Sequence, residues 1–487
     1  MSAREAAVRA LSECRRGTHA HVALGNALAA KALPERDKAL VTQLFYGVMQ
    51  NKMLCDFYIS HFASLGLNKI EPRVLDILRL SVYQIVFMSG IPHSAAVNEG
   101  VSLVGKNANL RAAGFANAVL RKISLAADTN GLPDITVSDA GNTVYNAVND
   151  KTCNAANTET NTAASDGSTA GTSTAGTSAA GISHHLSVKY SHPEWFVKEA
   201  YGLLGSWETT EAFLIANNNP ATPVTVQVNT LLTDTDAVLV MLEAEGVTAE
   251  PHSWLDNCIL LRGAGNIQRL DAYRKGFIYV QDAAARLAVM AAAPEPGHLV
   301  IDGCAAPGGK SFTAAIMMKN TGRIISYDIN AAKLRLIDEG AKRVGISIIS
   351  SRQRDAADYK DDGYDGQADV VFADVPCSGF GVIRKKPDVR YKTEESIRGL
   401  PEIQKAILTG LARFVKPGGL LLYSTCTIRR CENEDVTDWF LRDNPRFRPA
   451  GFTLPAPGEF PGGAVTLWPH IHGTDGFYIC KMEKTHD

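Results

Sequence analysis

The sequence predicts a multi-domain chain: an all-α bundle (1–127), a low-complexity tether (128–182), a small α+β unit (183–275) and an α/β domain with a mixed sheet (276–487). Three observations predict it. Apolar residues recur at helical spacing through the front of the chain, a Thr/Ser/Ala/Gly-rich interval follows, and strand, turn and helix then alternate to the end. At 487 residues the chain also exceeds one ordinary hydrophobic core.

In the bundle, Leu75, Leu78, Val82 and Ile85 fall on one helical face, and Glu71-Pro72 and Gly90-Ile91-Pro92 punctuate the helices. Residues 1–125 hold 15 Lys/Arg against 8 Asp/Glu, a surplus of +7 in a chain whose net charge is -2. Such a surplus fits an RNA or DNA contact, although a solvated surface gives the same count. The tether ends in the near-repeat Ser173-Thr174-Ala175-Gly176-Thr177-Ser178-Ala179-Ala180-Gly181, which has too little apolar area to offset the entropy of ordering it.

The α+β unit combines a helical stretch around Trp195-Phe196-Val197, the β-branched strand signal Val224-Thr225-Val226-Gln227-Val228, helical Ala237 to Ala244 and strand-like Ile259-Leu260-Leu261. After Gly276, near-continuous apolar strands run into polar turns: Leu299-Val300-Ile301, Arg323-Ile324-Ile325-Ser326-Tyr327, Val370-Val371-Phe372 and Leu420-Leu421-Leu422-Tyr423. They indicate a parallel sheet covered on both faces. Ala464 to Trp468 and Phe477 to Lys481 suggest a closing antiparallel hairpin.

The front of the chain lacks the apolar core of a secretion signal, and no stretch is long enough to cross a bilayer, so a cytoplasmic location and no membrane contact are expected. Nine scattered cysteines, none in a Cys-x-x-Cys pair, point to reduced thiols and no metal. Cys14, Cys55, Cys258 and Cys480 read as small buried hydrophobes.

One turn reads as a cofactor cradle: Asp302-Gly303-Cys304-Ala305-Ala306-Pro307-Gly308-Gly309-Lys310. Gly308 and Gly309 permit close backbone approach, Pro307 stiffens the loop, and ligands of open α/β sheets sit at such strand ends. Asp328 ends the next strand, where a carboxylate accepts from ribose hydroxyls, and Asp355 follows the third, within reach of an adenine amino group. The glycine spacing is neither Gly-x-Gly-x-x-Gly nor a P-loop, which favours a nucleoside over a dinucleotide or triphosphate.

Two cysteines follow later strands: Cys377 in Asp374-Val375-Pro376-Cys377-Ser378-Gly379 and Cys426 in Ser424-Thr425-Cys426-Thr427. A thiolate adding to carbon 6 of a pyrimidine turns carbon 5 into a nucleophile able to take a methyl group; Asp374 is placed to bond the polar edge of the ring. Either thiol alone also reads as a buried strand-end residue, and the residues do not rank the two. Arg384, Lys385 and Lys386 suit a phosphate backbone or an ordinary solvated loop. Glu432-Asn433-Glu434 and Gln281-Asp282 read as helix starts.

Taken together, Cys304 to Lys310, Asp374 to Gly379, Arg384-Lys385-Lys386-Pro387-Asp388 and Tyr423-Ser424-Thr425-Cys426-Thr427 resemble the RNA 5-methylcytosine methyltransferases of the bacterial Sun/Fmu (RsmB) family. The front, from Ile77 to Gln84, Ala95 to Glu99 and Ala113 to Arg121, resembles that family's NusB-like RNA-binding bundle. The resemblance implies a Rossmann-like, S-adenosylmethionine-dependent methyltransferase domain, an RNA-binding-like α+β unit, and small-subunit (16S) ribosomal RNA as partner; a monomer is expected, although the sequence does not disclose the oligomeric state. It implies Cys426 as nucleophile and Cys377 as the thiol assisting release. It also implies S-adenosylmethionine binding by Cys304, Ala305, Ala306, Pro307, Gly308, Gly309, Lys310, Asp328, Asp355 and Asp374. The long tether and Phe380, at a position usually small and polar, depart from the pattern. A NusB-like antitermination factor with an inactive methyltransferase half, or an enzyme acting on uracil or on tRNA, are the alternatives; no thiol or Asp374 is lost to favour the first.

Overall fold

The computed structural model describes every residue except 30–32, 136–177, 220–221, 359–362 and 487. Contacts divide the chain into two compact units, Met1–Leu214 and Ile215–Asp487. Most of the expected tether, 128–182, lies outside the described residues; at its edges Asp128 closes one helix and residues 179–182 open another.

The first unit contains α1 (Ala3–Arg15), α2 (Ala20–Ala29), α3 (Glu35–Phe62), α4 (Pro72–Phe87), α5 (His93–Asn107) and α6 (Leu110–Asp128). Ser2 and Glu5 cap α1 reciprocally, and Pro72 opens α4, where its missing N–H has no helical partner to lose. Leu75, Leu78, Val82 and Ile85 are all buried, as their spacing requires. Next come α7 (Ala179–Tyr190), α8 (Glu194–Leu204) and most of α9 (Trp207–Asn217), with α7 packed on α3. Residues 183–214 fall in the first of these two units. Periodicity shows that a helix has an apolar face but not which partner covers it.

Arg79 illustrates a limit of counting charges. It is buried, and its guanidinium donates to Asp56 Oδ1 and Oδ2 at 2.6 and 2.8 Å and to Asp76 Oδ1 at 3.4 Å. Ser12 and Arg15 also donate to Asp76. One of the charges counted toward a basic face is therefore structural. Arg79→Ala removes the ion-pair partner of buried Asp56 and one of the partners of Asp76, and is expected to cost about 3–5 kcal/mol, read as a lower denaturation midpoint of the helical unit.

The second unit begins with a small antiparallel sheet: β1 (Val224–Val228), α10 (Thr235–Ala244), β2 (Thr248–Pro251), β3 (Cys258–Arg262), α11 (Asp271–Arg274) and β4 (Ile278–Val280), in spatial order β2-β3-β1-β4. Because β4 pairs with β1, this sheet extends past the boundary expected at 275; pairing of so short a strand is a long-range property. Asn229 fastens the sheet to the next layer, its amide donating to the carbonyls of Gly276 and Val344 at 3.0 and 2.8 Å.

Then follow α12 (Ala283–Ala292), β5 (Leu299–Asp302), α13 (Gly309–Met317), β6 (Arg323–Asp328), α14 (Ala331–Arg343), β7 (Ile349–Gln353), β8 (Ala368–Asp374), α15 (Glu394–Ile397), α16 (Leu400–Ala412), β9 (Val415–Thr425) and α17 (Glu434–Asp443). The chain closes with β10 (Phe447–Pro449), the ribbon β11 (Phe452–Thr453) and β12 (Glu459–Phe460), β13 (Ala464–Leu467) and β14 (Phe477–Lys484). The large sheet has the order β10-β14-β9-β8-β5-β6-β7, with β13 also on β14. β5 to β9 are parallel and β14 runs antiparallel to β9, so the sheet is mixed as expected. Leu287, Phe312 and Phe372 belong to the core on one face, and Ile325, Leu411 and Tyr423 to that on the other, which explains the continuously apolar strands.

From β5 the chain winds outward through β6 and β7, then returns to β8 on the other side. A crevice opens outside the carboxyl ends where strand order reverses in this way. Among the described residues no helix is long and apolar enough to cross a membrane.

Candidate active site

The Gly-rich turn lies at that reversal. Gly308 has φ +110, which only glycine adopts without strain, and its amide donates to the Ala305 carbonyl at 2.7 Å before α13 begins. The Ala305 amide bonds the Tyr327 carbonyl of β6 at 2.7 Å, tying the turn to the neighbouring strand. Asp302 is almost fully buried, and burial pushes its carboxyl up to about 6. Its Oδ2 accepts from Ser311 Oγ at 2.7 Å, while Oδ1 is buried with no hydrogen-bond partner.

Beside the turn is a cavity of about 550 Å³. Cys304, Ala306, Asp328, Asp355, Asp374 and Pro376 contribute to its wall. Asp328 Oδ2 accepts from the Ala306 amide at 3.3 Å and Oδ1 from the Asn330 amide at 2.9 Å; Asp355 Oδ1 accepts from Ala357 at 2.9 Å. Ala305, Pro307, Gly308, Gly309 and Lys310 shape the turn without lining the cavity. Ile329, Lys333 and Arg354 line it and were not singled out from sequence. Ile329 carried a usable signal, since an apolar side chain directly after a strand-end carboxylate, here 63% exposed, is a ready platform for a flat ring.

The two thiols converge. β8 and β9 are parallel neighbours with Asp374 opposite Ser424, so Cys377 and Cys426 leave adjacent strand ends, and their sulfurs lie 3.2 Å apart. Ser378 Oγ and Thr427 Oγ1 are 2.8 Å apart, and the Gly381 amide donates to the Cys426 carbonyl at 2.9 Å. A Cβ on Gly381 would stand 1.8 Å from the Gly476 carbonyl oxygen, so only glycine permits this closure.

The hydrogen bond from Cys377 pulls the Cys426 thiol below its ordinary value against the effect of burial, and Lys310 and Lys386 reinforce it. The same bond and burial push Cys377 up, with Glu432 and Asp374 adding to the shift. The two thiols are thereby unequal, Cys426 the more easily ionised of the pair and Cys377 the less. Burial and the carboxylates of Asp302 and Asp374 push Cys304 up, so the third nearby thiol stays protonated.

Lys310 turns to Asp374, Nζ to Oδ2 at 2.6 Å, and lies over the Phe477 ring at 5.2 Å; Ser424 Oγ donates to the other Asp374 oxygen at 2.8 Å. Two of the three basic residues offered for a phosphate backbone do something else. Arg384 and Lys385 pair with Asp282 and Asp475, Arg384 reaching Asp475 at 2.7 Å. Burial notwithstanding, Lys385 and Arg384 hold the Asp282 carboxyl below the usual range. The two cations are thus held by two carboxylates from other parts of the chain. Asp282 also caps α12, accepting from Ala284, as its position before a helix suggested. Phe380 is fully buried.

Three family descriptions match the chain: 16S rRNA methyltransferase RsmB/F over residues 289–483, the NusB family over 1–125, and a RsmF/B-like ferredoxin-like domain over 192–268. A probable ribosomal RNA small subunit methyltransferase B of Bacillus subtilis (strain 168) is 33% identical, with 99% of each chain covered. Another, from Synechocystis sp., is 28% identical over 99% of this chain and 100% of its own. The crystal structure of PH0851 superposes with a TM-score of 0.75 at 25% identity, covering 99% of this chain and 98% of that one. That of NSun6 from Pyrococcus horikoshii with SFG covers 61% of this chain and 99% of its own at a TM-score of 0.55 and 21% identity.

Proposed function

The chain belongs to the 16S rRNA methyltransferase RsmB/F family, and from that premise we propose that it forms 5-methylcytosine in small-subunit ribosomal RNA through a covalent adduct between Cys426 and carbon 6 of the base. The observation that carries the reading is the 3.2 Å pair of thiols at the carboxyl ends of β8 and β9, with the lowered thiol on Cys426.

The cavity suits a nucleoside cofactor. Its size falls in the range of small-molecule sites, and Asp328 presents a carboxylate at ribose height beside Ile329. Asp328 is assigned to the ribose hydroxyls and Asp355 to the adenine amino group. When bound, S-adenosylmethionine supplies an electrophilic methyl group.

The chain's own residues do the rest. Cys426 forms the bond to carbon 6, and the electron pair displaced from the ring makes carbon 5 nucleophilic. Asp374, oriented by Lys310 and Ser424, is assigned to the polar edge of the base. After methylation a solvent water takes the proton from carbon 5, the electrons of that bond restore the ring double bond, and the carbon–sulfur electrons return to Cys426 as a thiolate; Cys377, whose sulfur lies against that departing sulfur, assists the release by hydrogen-bonding to it. Exposed Lys69, Arg73, Arg111, Arg121 and Lys122 give the helical unit a surface suited to phosphate.

Bisulfite mapping of ribosomal RNA from a deletion strain tests the reaction: one small-subunit cytosine should lose protection, and an unchanged map would refute it. Asp328→Ala is expected to weaken S-adenosylmethionine binding about 10- to 100-fold by calorimetry, the worth of hydrogen bonds to a charged acceptor.

A further inference from the structure

We propose that Glu432 is a positioning residue for the thiol pair, holding the Pro376–Ser378 turn through the Ser378 amide and through Gln404; the inference rests on the covalent reading above and adds a residue to it. In sequence Glu432 reads only as part of a helix start. In the fold it is fully buried, on the helical turn Arg430–Glu432 that follows the Cys426 loop.

Glu432 Oε2 accepts from the Ser378 amide at 2.8 Å and from Gln404 Nε2 at 3.0 Å. The same Gln404 nitrogen donates to the Pro376 carbonyl at 3.0 Å. Cys377 is therefore gripped on both sides, at the peptide groups before and after it, by bonds that meet at one carboxylate. Glu432 is in turn fixed to β9, because the Tyr423 hydroxyl donates to its carbonyl at 2.6 Å. Tyr423 lies just before Cys426, so a single buried anchor serves the backbone of both thiols.

A buried carboxylate is costly unless paired. Arg429, at 3.6 Å from Oε1, and the Ser378 and Gln404 donors pair this one. Of the two bonds on Oε2, one goes directly to the segment that follows β8 without regular structure and carries Cys377, and the other holds the Gln404 amide that reaches the same segment at Pro376. The same segment is also held by the Ser378–Thr427 hydroxyl bridge and by Lys392, whose Nζ donates to the Ser378 carbonyl at 2.7 Å. Glu432 touches neither sulfur; it acts through the peptide groups beside Cys377.

The test compares Glu432→Ala, Glu432→Gln and Gln404→Met in the full chain. Diamide, which takes two electrons and two protons from the thiols, is used to measure the rate of Cys377–Cys426 cross-linking without RNA or cofactor. Decay of the transient RNA adduct is measured in a single turnover. Glu432→Ala and Gln404→Met are expected to slow both by about tenfold or more, since misplacement on the ångström scale has effects of that size or larger, while Glu432→Gln, which keeps an acceptor, stays within about threefold of the parent. Gln404→Met retains the carboxylate and decides the matter if Glu432→Ala fails to fold. Unchanged cross-linking in Glu432→Ala and Gln404→Met overturns the proposal, as does an equal loss in Glu432→Gln. Cross-linking that follows the expected order in a protein that never forms an RNA adduct supports the positioning role and refutes the covalent reading instead.

Discussion

Cys426→Ala is expected to abolish methyl transfer to RNA, by at least about 10⁴-fold, because the variant has lost the group that makes carbon 5 reactive and no other nucleophile can replace it. Cys377 is held protonated by its hydrogen bond and by burial beside Glu432 and Asp374. Cys304 is likewise kept as a thiol. Cofactor affinity should survive, since Cys426 is not part of the cavity wall that Asp328 and Asp355 share. Transfer of a labelled methyl group to ribosomal RNA, measured beside S-adenosylmethionine binding by calorimetry, separates the two quantities. Undiminished turnover would remove Cys426 from the chemistry; joint loss of turnover and cofactor affinity would mean that the substitution had disturbed the crevice.

Much of this site was legible in the sequence because its parts are local. A strand-end carboxylate such as Asp328, a Gly308 turn and a Pro376-Cys377 loop are each recognisable within a few residues, and parallel strands deliver their carboxyl ends to one edge without further instruction. What could not be read depends on which distant segments meet. Arg384 and Lys385 look like free cations until Asp282 and Asp475, from two other parts of the chain, arrive beside them. Glu432 looks like a helix start until α16 brings Gln404 against it.

The ranking of the two thiols is of the same kind. Composition and spacing treat Cys377 and Cys426 alike, and only their surroundings differ: Lys310 and Lys386 act on Cys426, whereas Glu432 acts on Cys377. The pairing of β4 is a similar matter, because so short a strand does not declare that its partner is β1. Local chemistry identifies the components, and tertiary pairing decides their partners.

Cys377→Ala is expected to behave oppositely to the loss of its neighbour, accumulating a protein–RNA adduct that survives denaturing electrophoresis. The bond from Cys426 to carbon 6 still forms, but the thiol beside the departing sulfur is gone and the adduct outlives the methylation step. The double variant Cys377→Ala, Cys426→Ala should give no adduct, which shows that the trapped bond belongs to Cys426. A second effect follows from the same geometry. The Cys377 hydrogen bond is the largest influence lowering the Cys426 thiol. Without it that thiol titrates higher, so adduct formation in Cys377→Ala should be slower than in the parent near neutral pH and recover as pH rises. Recovery of free RNA alone at every pH would exclude Cys377 from release. An adduct that forms with the parent's pH profile would keep the release role and show that Lys310 and Lys386, rather than the neighbouring thiol, set the reactivity of Cys426.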